Sequence, residues 1–306
     1  MKGKKMSQFR VRTDLAVEAR DYVMDQKEEL RGIRVEEVKD EDICTTTVYI
    51  ESKNASKTMG KPMGTYITIE AVRLEDEEEE YHQRVGKVIA KKVRQLVCEK
   101  KKDASVLVVG LGNREVTADA LGPQVVDKLY ITRHIINEYG SAAYGNSNMH
   151  KISSVIPGVM ARTGMESEEI IKGIVKETNP DVVIAIDALA SRSTKRLNRT
   201  VQITDTGIHP GSGVGNNRNA LTKENIGVPV IAIDVPTVVA AATIVIDAIE
   251  KISRETGADT YYKFVEQNTK SLSELQNMFV TGKDVDAMIE RLSDTLSYAL
   301  NKAFQF

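Results

Sequence analysis

Two aspartates stand where short aliphatic runs give way to small, uncharged residues. Asp119 lies in Thr117-Ala118-Asp119-Ala120-Leu121-Gly122-Pro123, and Asp187 opens Asp187-Ala188-Leu189-Ala190-Ser191-Arg192-Ser193. In an open parallel sheet, ligands and catalytic groups gather beyond the carboxyl ends of the strands. Two carboxylates at adjacent strand exits cannot both ionise easily, so the pair keeps one proton, and one member is an acid and the other a base. Such a pair activates water against a peptide carbonyl and then protonates the leaving amine. Composition alone favours a simpler role for Asp187, that of a cap on the helix that follows it.

The same exits are rich in glycine. Gly110-Leu111-Gly112-Asn113 follows the first aliphatic run, and Asp205-Thr206-Gly207-Ile208-His209-Pro210-Gly211-Ser212-Gly213 precedes the third. A glycine-rich turn after a strand can cradle phosphate on backbone N–H groups. Here the third glycine of the dinucleotide pattern is missing and no Gly-Lys-Ser/Thr occurs, which leaves phosphate binding as a weaker alternative. Gly112, Asn113, Arg192, Ser193 and His209 are the further residues expected to line the site.

The elements that must position these residues follow from periodicity. Residues 105 to 110 (SVLVVG), 181 to 187 (DVVIAID) and 228 to 234 (VPVIAID) are continuous apolar runs, as strands buried on both faces require. Helical patterns cover 166 to 178, 237 to 254 and the chain from Lys283, where Val285, Met288, Ile289, Leu292, Leu296 and Leu300 form one stripe. Nearer the start, TTTVYIE (45 to 51) and TYITIEAVR (65 to 73) alternate and flank polar turn residues, predicting an antiparallel β pair. The acidic run Glu75 to Glu80 suits a helix start. Together they predict an α/β fold: a mostly parallel sheet covered by helices on both faces, with an N-terminal antiparallel pair. A single domain is expected over residues 15 to 306, with 257 to 281 as a peripheral excursion.

Composition narrows the function classes. The 306 residues are 41% hydrophobic and 28% charged with a formal net charge of -2, so no global basic field draws nucleic acid or an anionic membrane. The basic start lacks the apolar stretch of a secretion signal, and no apolar run reaches the length of a membrane span, so a cytoplasmic location is expected. Cys44 and Cys98 are far apart and have no Cys/His cluster around them, which reads as two reduced, incidental thiols.

Five blocks carry a resemblance: RTDLAVEAR (12 to 20), GLGNREVTADALGP (110 to 123), PGVMARTGMES (157 to 167), PDVVIAIDALASRS (180 to 193) and DTGIHPGSGVGNNR (205 to 218). In this order they closely resemble the germination proteases of spore-forming bacteria, from about Val11 to the final helix. The resemblance implies an atypical aspartic endopeptidase that digests small acid-soluble spore proteins in the spore core, with Asp119 and Asp187 as the catalytic pair and no cofactor. It also implies a homotetramer and a precursor that removes its own N-terminus. Family substrates are cut after an acidic and before a large apolar residue, and Thr13-Asp14-Leu15-Ala16-Val17-Glu18 repeats that pattern. A propeptide of residues 1 to 14, cut between Asp14 and Leu15, is the expectation.

Two departures stand out. The stretch after Arg254 is shorter than in several members, and Asp234 occupies a place where a small residue is expected before Val235-Pro236-Thr237. That third carboxylate either alters the titration of the pair or points to solvent. The Gly-Leu-Gly-Asn exit is also similar to hydrogenase maturation endopeptidases, whose site holds a metal. On that resemblance Asp119, Asp187 and His209 would make a carboxylate and imidazole set for a divalent ion. An inactive binding relative is the remaining alternative.

Overall fold

The computed structural model describes residues 15–25, 31–101, 104–140, 149–209, 219–256, 274–275 and 278–304. The chain first forms α1 (Ala16–Asp25), β1 (Ile33–Asp40), β2 (Ile43–Ile50), α2 (Lys53–Met59), β3 (Gly64–Ala71) and α3 (Glu79–Lys100). Then come β4 (Val106–Gly110), a 3₁₀ turn (Thr117–Asp119), α4 (Leu121–Asp127), α5 (Arg133–Tyr139), β5 (Ile152–Val155), α6 (Met160–Thr163) and α7 (Ser167–Thr178). It continues through β6 (Val182–Ser191), β7 (Thr200–Thr204), α8 (Lys223–Ile226), β8 (Val230–Ala240), α9 (Ala241–Thr256), β9 (Phe279–Val280) and α10 (Val285–Phe304).

The strands form one sheet in the order β1-β2-β3-β7-β8-β6-β4-β5, with β9 added beside β8. Strands β8, β6, β4 and β5 are parallel, and they include the three aliphatic runs. The antiparallel pair β2–β3 is extended by β1 on its outer side and joined to the parallel half through β7. β1 escapes an apolar reading because Ile33-Arg-Val-Glu-Glu-Val-Lys-Asp40 is nearly all exposed. Its charges suit an edge strand, where they oppose pairing with another chain.

Alternation along the central strands sends side chains to two cores. Val106, Val108, Val182, Ile184, Ile186, Ile231 and Ile233 face α3, α4 and α10 in the larger one. Leu107, Val109, Val183, Ala185, Val230 and Ala232 face the opposite way, toward Ile171 and Val175 of α7 and Ile226 of α8. Helices therefore cover both faces of the parallel half, as the continuous apolar runs predict.

Three boundaries differ from the periodicity. The polar stretch between β2 and β3 contains α2, capped by the Ser52 side chain at its start and by left-handed Gly60 at its end. β8 runs on to Ala240, where the periodicity predicts a helix from Thr237, because Thr237, Val238 and Val239 are β-branched and Val238 and Val239 pair with β6. Asp187 lies inside β6, which continues to Ser191, so it is not the cap of a helix. Residues 257 to 273 of the expected peripheral excursion lie outside the described residues, and its end forms β9 against β8.

Candidate active site

The alternation that builds the second core also builds the site. Beyond Ala185 and Ala232, the next residues on that face are Asp187 and Asp234, which are register partners across β6 and β8. Asp234 is in turn the register partner of Gln202 on β7. Asp187, Asp234 and Gln202 thus form one row across three neighbouring strands, each strand about 4.8 Å from the next. All three are buried, at 7%, 5% and 3% exposure. Gln202 donates its Nε2–H to Asp234 Oδ2 at 3.5 Å, and Asp187 Oδ1 accepts the N–H of Ala188 at 2.9 Å.

Asp119 reaches the same place from the 3₁₀ turn after β4. Its carbonyl accepts the N–H of Asn113 at 3.0 Å, and Thr237 of β8 donates to the carbonyl of Ala118 at 2.6 Å. The turn passes so close to Gly112 that a β-carbon there would collide with the Asp119 carbonyl and stand 3.2 Å from its Oδ1. Gly112 also has φ of +112°, which favours glycine. Gly122 is equally constrained, since a β-carbon would meet the carbonyls of Leu111 and Ile186. These glycines serve close packing of the strand exits.

A cleft of about 400 Å³ runs over this surface, lined by Asp119, Asp187 and Asp234 together. Leu111, Leu189, Val238 and Phe279 supply apolar wall, and Gln202, Thr204 and Thr237 supply polar wall. Buried Tyr66 is another lining residue. Burial pushes its phenol up to about 12, with the Thr206 hydrogen bond opposing and the Asp205 charge adding to the effect. It stays a neutral hydrogen-bonding group near neutral pH. Of the residues expected from the strand exits, Gly112 and His209 also line the cleft, whereas Asn113, Arg192 and Ser193 do not. Asn113 instead accepts the N–H of Glu115 in its own turn. No group of three or more His, Cys, Asp or Glu residues among the described ones is arranged to hold a metal ion.

The family model for germination proteases matches residues 11–275 of the chain. The chain belongs to the germination protease family. It is 45% identical to the germination protease of Caldanaerobacter subterraneus subsp. tengcongensis over 96% of this chain and 94% of that protein. It is 43% identical to that of Bacillus mycoides over 95% of this chain and 79% of that protein. Among solved structures, a hydrogenase maturation protease from Thermococcus kodakarensis covers 67% of this chain and 98% of its own, with 13% identity and a TM-score of 0.32. Family membership makes the chain a peptidase that acts in germination.

The N-terminal segment of the chain is anchored beside the cleft. Leu15 is fully buried and packs with Val17 and the cleft residue Leu189. The Ala16 N–H donates to Gln202 Oε1 at 2.8 Å. Buried Glu18 accepts the N–H groups of Arg192 at 3.0 Å and Ser193 at 3.1 Å, and Arg196 Nε lies 3.6 Å from its Oε1. Arg192 and Ser193 therefore hold the N-terminal helix through their backbones. Asp14 lies outside the described residues.

Gln202, Thr204 and Thr237 were not legible as site residues. A signal for Gln202 exists in Thr200-Val-Gln-Ile-Thr204, where a polar side chain alternates with two core residues and so must face the other side of the sheet. Among the described residues, no helix is long and apolar enough to cross a membrane.

Proposed function

We propose that the chain is an endopeptidase that starts the breakdown of small acid-soluble spore proteins on germination, using Asp119 and Asp187 as an acid and base pair. The observation that carries this reading is that both aspartates, approaching from different elements, line one cleft. In the reaction, the ionised carboxylate takes a proton from water as the water oxygen attacks the peptide carbonyl carbon. The protonated carboxyl then gives its proton to the departing nitrogen as the C–N bond breaks, which leaves a new carboxyl terminus and a new amine. A site with apolar walls and few competing cations favours keeping that proton on the pair.

The same reading makes the chain a precursor. Its own Thr13-Asp14-Leu15-Ala16-Val17-Glu18 places an acid before a large apolar residue, and Leu15 is seated against the cleft residue Leu189. Self-cleavage between Asp14 and Leu15 and cleavage of spore proteins are then one specificity. The enzyme works in the spore core as a homotetramer. Digestion of a purified small acid-soluble spore protein, with the new termini read by mass spectrometry, tests the assignment. Cuts after acidic and before large apolar residues support it, and an intact substrate refutes it.

A further inference from the structure

We propose that Asp234 is a positioning residue for Asp187, the two carboxylates holding one proton between them. This inference rests on the reading of Asp187 as part of a peptidase site. Asp234 does not point to solvent: it is 5% exposed and lines the cleft. Direct register across adjacent parallel strands sends its side chain to the same face as that of Asp187. Two carboxylates so placed, in a cleft with apolar walls, repel each other when both are ionised, and a shared proton removes that repulsion.

The groups around Asp234 reinforce the effect. From β6 it faces Asp187, and from the turn after β4 Asp119 enters the same cleft. From β7 it meets neutral Gln202, and β9 contributes apolar Phe279 to the cleft. Half-buried Lys61 and exposed His209 also line the cleft, and Tyr66 stays neutral there. Gln202 fixes one side of Asp234, its amide oriented by the Ala16 N–H on the oxygen and Asp234 Oδ2 on the nitrogen. With its outer side held, Asp234 presents a fixed acceptor or donor to Asp187. The result is a third carboxylate that keeps a proton in the site at higher pH than Asp119 and Asp187 would alone.

The test titrates the aspartates directly, by carbon NMR of the full chain labelled at aspartate Cγ. In the wild-type chain Asp187 and Asp234 should each show two steps, because each senses the other's proton. In Asp234→Asn, Asp187 should keep only its coupling to Asp119, with its highest step lower by about one pH unit or more. The alkaline limb of the kcat profile for peptide cleavage should move to lower pH in the same variant, and Asp234→Glu should restore it. A single step for Asp234 in the wild-type chain, or an Asp187 titration left unchanged in Asp234→Asn, overturns the proposal and leaves Asp234 as an acceptor for Gln202. If Asp234→Asn does not fold, the titration of Asp119→Asn decides: two steps on both Asp187 and Asp234 support the pairing, and one step on each overturns it. Absence of peptide cleavage by the wild-type chain would refute the peptidase site, while the titration would still decide the pairing.

Discussion

The Ala16 N–H donates to Gln202 Oε1 at 2.8 Å, although the two residues are 186 positions apart. Gln202 is also bonded to Asp234, so the start of α1 and the acidic row of the cleft share one side chain. The N-terminal segment is part of the site's supporting structure, and Glu18 is its second anchor.

Replacing Glu18 by alanine should therefore release α1. Two backbone N–H groups lose their acceptor and the Arg196 guanidinium, still paired with Glu70, loses one of its carboxylates, a change expected to cost about 1–3 kcal/mol. Hydrogen exchange over residues 15 to 25 should rise, and urea unfolding should report the lost stability. Unchanged protection of α1 would show that the Leu15 pocket suffices to hold it.

Gly112→Ala should damage activity more than folding. The added β-carbon collides with the carbonyl of Asp119, and the left-handed backbone adds strain. The turn that carries Asp119 has to move, whereas β4 and its core remain. Loss of kcat by about 100-fold or more, for a misplacement of about 1 Å, is the expected outcome in a peptide assay. A melting temperature close to wild type would accompany it.

Much of this site was legible in the sequence, because buried parallel strands announce themselves. The runs 105 to 110, 181 to 187 and 228 to 234 must pack on both sides, and polar residues ending them must lie near one another. What the sequence hid depends on register. Asp187 and Asp234 are partners only because β6 and β8 are neighbours in one alignment, and Gln202 joins them only because β7 reverses direction beside β8. The role of Arg192 and Ser193 was hidden for another reason: their backbones, not their side chains, bind Glu18.

Acid should weaken the start of the parallel sheet through Asp181. Burial alone would raise this carboxyl, but the Lys101 ammonium and the Ser105 N–H and hydroxyl outweigh it and hold it below its ordinary 3.8. Its oxygens accept Ser105 N at 2.8 Å, Ser105 Oγ at 2.9 Å and Lys101 Nζ at 2.8 Å, tying β4 to β6. A depressed folded value stabilises above the unfolded value, and the contribution is lost as pH falls through the folded one. Asp181→Asn should cost about 1 kcal/mol at neutral pH. Urea unfolding across pH should show that difference shrinking once the pH drops below about 4. A difference independent of pH would assign the effect to neutral hydrogen bonds.

Self-processing should yield a chain beginning at Leu15, of 306 − 14 = 292 residues. Mild acid should speed it, because protonation neutralises Asp14 as it enters a cleft already holding carboxylates and populates the singly protonated pair. N-terminal sequencing after incubation across pH checks both points. A fully active chain still starting at Met1 would remove the precursor assignment.

Chelation should leave activity in place, since the proposed chemistry uses the carboxylates themselves as base and acid. Complete loss with a chelator, restored by zinc or manganese, would move the assignment to the Asp119, Asp187 and His209 set.

The pairing of Asp119 with Asp187 is tested most directly by replacing each with asparagine, which keeps shape and removes the titrating oxygen. Cleavage of a small acid-soluble spore protein should fall by at least about 1,000-fold in either variant, a scale expected when an acid or base is lost. Circular dichroism and melting should stay close to wild type. Full activity in a folded Asp119→Asn or Asp187→Asn chain would contradict the account and place the chemistry elsewhere in the molecule.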